Sequence, residues 1–439
     1  MATLQHPESF VRWFRQVAPY LHAFRGRTFV VAFGGEMFAE RARFASFIHD
    51  VSILAALGIR LALVHGARPQ IEAELKTRGI RSHYAHGLRI TDERALQAVK
   101  EAAGVLRVEI EALLSQGLPN SPMAGAQIRV ASGNYITARP IGVVKGTDFL
   151  FTGAVRKVDA AGIARRLDAG EVALVPPLGY SPTGEVFNLA WEDVAESVAV
   201  ALRADKLLMY TDRLPADTKG EVVAELTAQE AETLLKKESL GTSTIRVLQH
   251  AVRAVKAGVA RSHVVTRRAS GSLLLELFTH TGVGTMITAA TVEKLRPARI
   301  DDVQGMLALI EPLEAEGTLV KRSRELLEAE IGNFLVVEHD GVIVGCAALY
   351  PFKEEKSAEF ACLAVAEGYR DAGYGEDLLK ACEERARSLR IRRLFALTTH
   401  AAHWFLEQGF RAGDVAKLPS RRQALYTWKR GSKVFLKRL

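Results

Sequence analysis

Cys362-Leu363-Ala364-Val365-Ala366-Glu367-Gly368-Tyr369-Arg370-Asp371-Ala372-Gly373-Tyr374-Gly375-Glu376 is an apolar run that breaks into an Arg-x-x-Gly-x-Gly turn. Beyond it, Leu378, Leu379, Cys382 and Ala386 recur at the spacing of one helix face, so the stretch reads as strand, glycine turn and helix. A turn of this kind leaves backbone N–H groups unpaired at a helix N-terminus, aimed at one spot, which suits a diphosphate. Gly373 and Gly375 let the backbone come close to such a ligand, and Arg370 adds fixed positive charge.

Outward from this turn the second half reads as a mixed α/β domain. A helix is expected over Asp302–Leu313, with Val303, Met306, Leu307 and Ile310 on one face, followed by strands Phe334–Glu338 and Val342–Leu349 around the hairpin dipeptide Asp340-Gly341. The strand Glu359–Val365, a strand at Leu394–Thr398, a short helix at His403–Gln408 and two terminal strands complete it. The first half opens on an amphipathic helix over residues 8–24, carrying Phe10, Trp13, Phe14, Val17, Tyr20 and Leu21 at helical spacing. Strands then alternate with helices: Thr28–Phe33 ending in Gly34-Gly35, Arg43–Leu57 helical, Arg60–Val64 ending in His65-Gly66. Further strands are predicted at Val172–Val175, Leu207–Tyr210 and His263–Thr266, with helices at Asp193–Arg203 and Thr244–Ala257. This alternation predicts an α/β fold with a mainly parallel sheet covered on both faces. The pattern pauses around Thr291–Arg299, where Arg296-Pro297 breaks any helix, giving an N-terminal helix over 1–25, one domain over 26–292 and another over 297–439.

At 439 residues, 48% apolar and 25% charged, the chain is long enough for two or three packed domains, and its apolar runs are too short to span a bilayer. Acidic and polar residues at the start give no sign of a secretory signal. Cys346, Cys362 and Cys382 lie far apart with no metal-ligand spacing, so a reduced, metal-free, cytoplasmic protein without membrane contact is expected. The net charge of +8 comes from basic residues scattered among acidic ones, which favours small anions over nucleic acid.

The glycine turn resembles the acetyl-CoA signature of the GCN5-related N-acetyltransferases. Residues 26 to about 290 resemble the amino-acid kinase family through Phe33-Gly34-Gly35, Val64-His65-Gly66, Leu88-Arg89-Ile90-Thr91-Asp92, Asn188, Ala204-Asp205-Lys206-Leu207 and Gly282-Val283-Gly284-Thr285-Met286. The departures lie where a kinase needs charge: Ala32 stands at the first lysine position, Arg246 at the second, His65-Gly66-Ala67-Arg68-Pro69 replaces a glycine-rich loop, and Leu189-Ala190-Trp191-Glu192 replaces the aspartate region. Phosphoryl transfer requires fixed positive charge on the moving group, so a sensor domain is expected. A kinase-like domain with these losses, followed by an acetyltransferase domain with Arg322-Ser323-Arg324-Glu325 and Cys346-Ala347-Ala348-Leu349-Tyr350-Pro351-Phe352, resembles the bacterial N-acetylglutamate synthases over almost the full chain.

That resemblance implies a reaction between acetyl-CoA and L-glutamate at the start of arginine synthesis, with acetyl-CoA as co-substrate and no resident cofactor or metal. It implies acetyl-CoA contacts from Cys362, Leu363, Ala364, Val365, Arg370, Asp371, Ala372, Gly373, Tyr374, Gly375 and Glu376, with the N–H groups of Leu363 and Val365 facing the thioester oxygen. Cys362 is expected to act through its backbone, not as a nucleophile. Glu359 is the implied base, acting directly or through a water; by its residues alone it reads equally as a solvated strand-edge carboxylate. Thr398 falls where the family places a serine that donates to the departing thiolate, and Arg322, Arg422, Arg430 and Ser432 fall at glutamate-binding positions. L-Arginine is the implied effector, held in the first domain by Tyr20, Glu276, Gly282 and Gly284, and the N-terminal helix is implied to pair subunits of a homo-oligomer into a hexameric ring. Two other readings stay open at this point: another amino acid or amine as acceptor, and a non-catalytic arginine-sensing regulator.

Overall fold

A computed structural model describes residues 7–116, 128–216, 220–236, 240–279, 282–289, 293–339, 341–370, 373–426 and 431–439. It forms two compact units, Met1–Ala290 and Thr291–Leu439.

The first unit is built on an eight-stranded sheet in the order Glu225–Thr227, Thr285–Thr288, Arg261–Thr266, Lys206–Thr211, Thr28–Phe33, Arg60–His65, Val172–Val175, Val130–Ser132. Every neighbouring pair is parallel except Arg261–Thr266 with Thr285–Thr288. The uninterrupted apolar run Thr28–Phe33 lies at its centre, buried throughout. Val30 and Ala32 face one core, with helices Trp191–Ala201 and Thr242–Lys256; Phe29, Val31 and Phe33 face the other, with Arg41–Ala56. Covering both faces explains why this strand carries no polar alternation. Each fully buried Phe contributes roughly 1.5–3 kcal/mol. A second, four-stranded sheet (Val186–Asn188, Leu178–Tyr180, Ile136–Pro140, Gly153–Val158) and the hairpin His83–Ala85 with Leu88–Ile90 sit in this unit and were not anticipated. Its strands are short and carry little periodicity.

The second unit is a seven-stranded mixed sheet in the order Glu293–Pro297, Phe334–His339, Val342–Phe352, Ser357–Val365, Arg393–Thr398, Lys433–Arg438, Arg411–Gly413. Helix Tyr374–Ser388 covers one face through Leu378, Leu379, Cys382 and Ala386, and helix Val303–Ala315 covers the other through Val303, Met306 and Ile310. The segment Glu293–Pro297, where the sequence pattern pauses and no strand was anticipated, is an edge strand paired antiparallel to Phe334–His339. Proline is tolerated there because an edge strand does not need every N–H. Only one neighbouring pair is parallel, Ser357–Val365 with Arg393–Thr398, and its register runs only from Ser357↔Arg393 to Glu359↔Phe395. Beyond Glu359 the two strands part, and the backbone of 360–365 has no strand partner on that side among the described residues.

Candidate functional site

The fork between these two parallel strands gathers most of the residues singled out from sequence. Glu359 is the last paired residue before the strands separate, and it is buried. Arg422, from the short helix Ser420–Ala424, grips it with two N–H bonds: Nε to Oε2 at 2.6 Å and Nη2 to Oε1 at 3.0 Å. Opposite Glu359 in the antiparallel register stands Tyr350, whose hydroxyl donates to Glu330 Oε2 at 2.7 Å. Arg322 is half-buried, with its backbone N–H bonded to Glu314 Oε1 at 2.7 Å. Burial works against the Arg322 charge, but its neighbours Cys362, Tyr350 and Glu359 prevail, so the guanidinium is held more firmly protonated than usual. Tyr350 is pushed up by burial and by its bond to Glu330. Sequence reasoning missed Tyr350 as a site residue; its place opposite Glu359 follows only from strand register.

Cys362 lies at a register shift, where it and Leu363 oppose the single residue Ala347, and it adopts the left-handed φ of 54°. The Cys346 thiol donates to the Cys362 carbonyl at 3.8 Å. A side-chain hydrogen bond with Cys346 and then the Arg322 charge hold the Cys362 thiol below its ordinary value against its burial, while that bond and burial drive Cys346 well up. A left-handed non-glycine residue in a strand is costly, and it turns the local backbone out of the ladder. Both cysteine side chains belong to the core on the Val303–Ala315 face.

The helix that follows begins at Tyr374, with Gly373 as its N-cap at φ 84°. Glycine has no side chain to satisfy the first-turn N–H groups, and among the described residues a Cβ built on Gly373 would meet nothing within 4 Å. Gly375 is different: a Cβ there would sit 3.3 Å from Trp404, whose indole N–H is bonded to Glu376 Oε1 at 3.1 Å. Tyr374 is buried and Arg370 is exposed; Asp371 and Ala372 lie outside the described residues. Thr398 closes the Arg393–Thr398 strand, its Oγ1 accepting the N–H groups of His400 at 3.2 Å and Ala401 at 2.9 Å while keeping its own proton to donate. Ser432 is tied through its carbonyl to the Tyr426 hydroxyl. Arg430 lies outside the described residues.

In the first unit the two glycine turns of the kinase pattern end adjacent strands, and one side chain lies across both. A Cβ on Gly66 would fall 2.7 Å from Trp191 Cδ1, and one on Gly34 would fall 3.5 Å from its Nε1. Beside Trp191, Glu192 pairs with Arg246 at 3.3 Å, and Arg246 also donates to the Gly87 carbonyl at 3.2 Å. A cavity beside them is lined by Arg68, Arg89, Asn188, Trp191 and Arg246 among others. Ala32 is fully buried at the end of its strand and brings no charge.

A separate polar cluster forms on the other side of this sheet. Glu276 Oε2 accepts the N–H groups of Val283 at 2.8 Å and Gly284 at 2.7 Å, and Oε1 accepts from His263 Nδ1 at 2.7 Å. His263 Nε2 faces Lys206 Nζ at 3.3 Å, and that ammonium lies over the Phe24 ring at 5.2 Å. Burial, then Lys206, lowers His263 to about 4, so it is the neutral imidazole with Nδ1 carrying the proton. Burial alone would raise Glu276, but its bonds to His263, Val283 and Gly284 keep its pKa below the usual value. Gly282 (φ 59°) and Gly284 both lie against the Glu276 carboxylate, closer than any side chain would permit. Tyr20 packs against Phe24 with ring centroids 5.9 Å apart and the ring planes tilted by 51°. The predicted residues Tyr20, Glu276, Gly282 and Gly284 are thus brought together, with Phe24, Lys206 and His263 as members that the sequence did not reveal. Lys206 opens an otherwise largely apolar strand, whereas His263 follows Arg261 and Ser262 in its own strand and gave no such signal.

The fold defines an acyltransferase of the GNAT kind joined to a kinase-like domain in which Trp191 lies against two glycine turns. Residues 27–266 match the amino acid kinase family and residues 304–410 the acetyltransferase (GNAT) family. An amino-acid acetyltransferase of Ralstonia nicotianae is 50% identical over 98% of this chain and 96% of its own length. One of Azotobacter vinelandii is 50% identical over 98% and 99%. The chain belongs to the amino-acid acetyltransferase family and is an amino-acid N-acetyltransferase. Among solved structures, N-acetylglutamate synthase of Neisseria gonorrhoeae complexed with coenzyme A and L-arginine matches with a TM-score of 0.88, 40% identity and coverage of 98% of this chain and 99% of that one. The same enzyme complexed with coenzyme A and N-acetylglutamate matches at 0.62, with 41% identity and the same coverage.

Proposed function

We propose that this protein transfers the acetyl group of acetyl-CoA to the amino group of L-glutamate, giving N-acetyl-L-glutamate and CoA as the first step of arginine biosynthesis in the cytoplasm, under inhibition by L-arginine. The observation that carries this reading is a carboxylate at the mouth of a parted strand pair, set between two arginines and followed by an uncapped glycine turn. The turn takes the diphosphate of acetyl-CoA at the first-turn N–H groups from Gly373 onward, with Arg370 alongside. Acyl chain and thioester lie along the unpaired backbone edge from Cys362 to Val365, where N–H donors meet the developing oxyanion. Arg322 holds the α-carboxylate, and Arg422, Arg430 and Ser432 surround the distal carboxylate. Glu359 accepts a proton from the ammonium, the freed amine attacks the thioester carbonyl, and as the C–S bond breaks the nitrogen's second proton passes to the departing thiolate, with the Thr398 hydroxyl hydrogen-bonded to that sulfur.

Arginine is read as binding at the Tyr20, Glu276, Gly282 and Gly284 cluster, its guanidinium meeting the Glu276 carboxylate beside the bonds it already accepts from Val283, Gly284 and neutral His263. The described N-terminal helix leaves Phe10, Trp13 and Phe14 about half exposed while Val17 is buried, and that uncovered stripe supports assembly of copies into a ring. CoA release from acetyl-CoA with glutamate, aspartate, glutamine and ornithine as separate acceptors tests the assignment. Glutamate is expected to be turned over fastest; a faster reaction with any of the others overturns it.

A further inference from the structure

The resting geometry sets two roles against each other. Glu359 has both carboxylate oxygens occupied by Arg422 N–H groups, at 2.6 Å and 3.0 Å. A carboxylate gripped in this way has its best lone pairs directed at the guanidinium, where they cannot receive a substrate proton. Arg422 is also the residue read as meeting the distal carboxylate of the acceptor. Its third nitrogen is engaged too, donating to the Leu425 carbonyl at 3.3 Å. One guanidinium cannot hold two carboxylates bidentately through the same fork.

We propose that Arg422 is a gate: in the empty site it locks Glu359, and the distal carboxylate of a dicarboxylic amino acid draws it away, so the proton acceptor is unmasked only when that acceptor is bound. This rests on the reading of Glu359 as base and glutamate as acceptor. Exchanging one carboxylate for another keeps Arg422 paired, so the swap carries little net penalty. A neutral acceptor of equal length offers no partner, and Arg422 would have to leave a largely buried ion pair for nothing. The side chains of Arg422 and Glu359 are 21% and 11% exposed, so an acceptor reaches the pair from solvent. Arg322, on the other flank, remains coupled to Glu359 after Arg422 departs and keeps its charge compensated. The gate therefore places specificity for a second carboxylate in the chemical step as well as in binding.

The test is steady-state CoA release with L-glutamate and with L-norvaline, which keeps the carbon chain and lacks the distal carboxylate. Wild-type protein, Arg422→Met, Arg422→Lys and Glu359→Gln are compared, each checked for an intact thermal melt and for acetyl-CoA binding by calorimetry. In the wild type, kcat on norvaline at saturation should fall ~10²-fold below that on glutamate, the size of a lost general base, beyond any rise in KM. Equal kcat values overturn the gate without need of any variant. In Arg422→Met, kcat/KM for glutamate should fall while kcat for norvaline rises about tenfold or more above the wild-type value, because nothing masks Glu359. In Arg422→Lys, which cannot grip bidentately, norvaline should lie between the two. Norvaline kcat that stays at or below the wild-type value in a folded, acetyl-CoA-binding Arg422→Met protein overturns the gate and leaves Arg422 as a binding group alone. If Glu359→Gln retains wild-type kcat on glutamate, the base reading itself fails, and the gate with it.

Discussion

Each unit places glycine turns at the ends of central strands, and the two sets meet opposite fates. In the first unit Gly34 and Gly66 end neighbouring strands, and the indole of Trp191 lies against both. In the second, Gly373 stands at the N-terminus of its helix with nothing among the described residues within 4 Å of where a side chain would be. A glycine turn is therefore only a licence for an anion to approach. A side chain distant in sequence decides whether the space is kept. The acidic groups show a related contrast. Glu276 is fixed by two backbone N–H groups and a histidine, none of which has reason to leave, whereas Glu359 is held by one long, flexible arginine. A carboxylate anchored by backbone suits a structural or sensing role, and one held by a movable cation suits chemistry.

The largest effect expected from this contrast is at the movable pair. Glu359→Gln should lower kcat by roughly 10²–10⁴-fold with acetyl-CoA affinity little changed, since it keeps the shape and removes the proton acceptor. Turnover near wild type would erase the distinction between the two carboxylates.

Next comes acid sensitivity of the first unit. Burial holds His65 and His263 at about 4 against an ordinary 6.5, so between those values the folded state binds fewer protons than the unfolded chain. The stability they contribute is full above pH 6.5 and is lost as pH falls through about 4, on the order of 3 kcal/mol for each histidine. Asp50 acts in the opposite sense, because burial raises it to about 6 and its contribution is lost as pH rises through that value, so it offsets part of the loss. Thermal melting across this range should show the first unit weakening on acidification; a flat profile would contradict the neutral, buried histidines.

A smaller change is expected at the effector cluster. Glu276→Ala should abolish inhibition by arginine, a coupling of about 1–3 kcal/mol or roughly five- to hundredfold in apparent affinity, with uninhibited turnover retained. Calorimetry of arginine binding to the full chain checks it, and inhibition that survives unchanged would remove the sensor role from this cluster. Smallest is Gly373→Ala. A non-glycine residue at φ 84° costs about 1–2 kcal/mol, so the KM for acetyl-CoA should rise several-fold with kcat nearly kept.

Much of this architecture was legible from local pattern. Thr28–Phe33 and Val172–Val175 were readable to the residue because a buried parallel strand is a continuous apolar run bounded by breakers. The face Leu378, Leu379, Cys382 and Ala386 was readable because helix packing repeats at fixed spacing. Glu293–Pro297 was missed because charges and a proline read as a break, which an edge strand tolerates. Glu359 could be suspected from its place at the head of an apolar strand. Its grip by Arg422 could not, because that pair forms only when a sheet strand and a C-terminal helix meet in space. Trp191 was visible as a departure from the kinase pattern, but its position across two glycine turns is tertiary information. Lys206 and His263 escaped notice as a pair for the same reason, since each has its partner on another strand.

The most direct measurement is mass analysis of one reaction mixture holding the full-length protein, acetyl-CoA, L-glutamate and Mg-ATP. The open turn of the second unit and the filled turns of the first predict N-acetylglutamate and CoA as the products, with ATP unconsumed. Accumulation of a phosphorylated acetylglutamate with matching ADP, or no acetylated glutamate at all, would contradict the account.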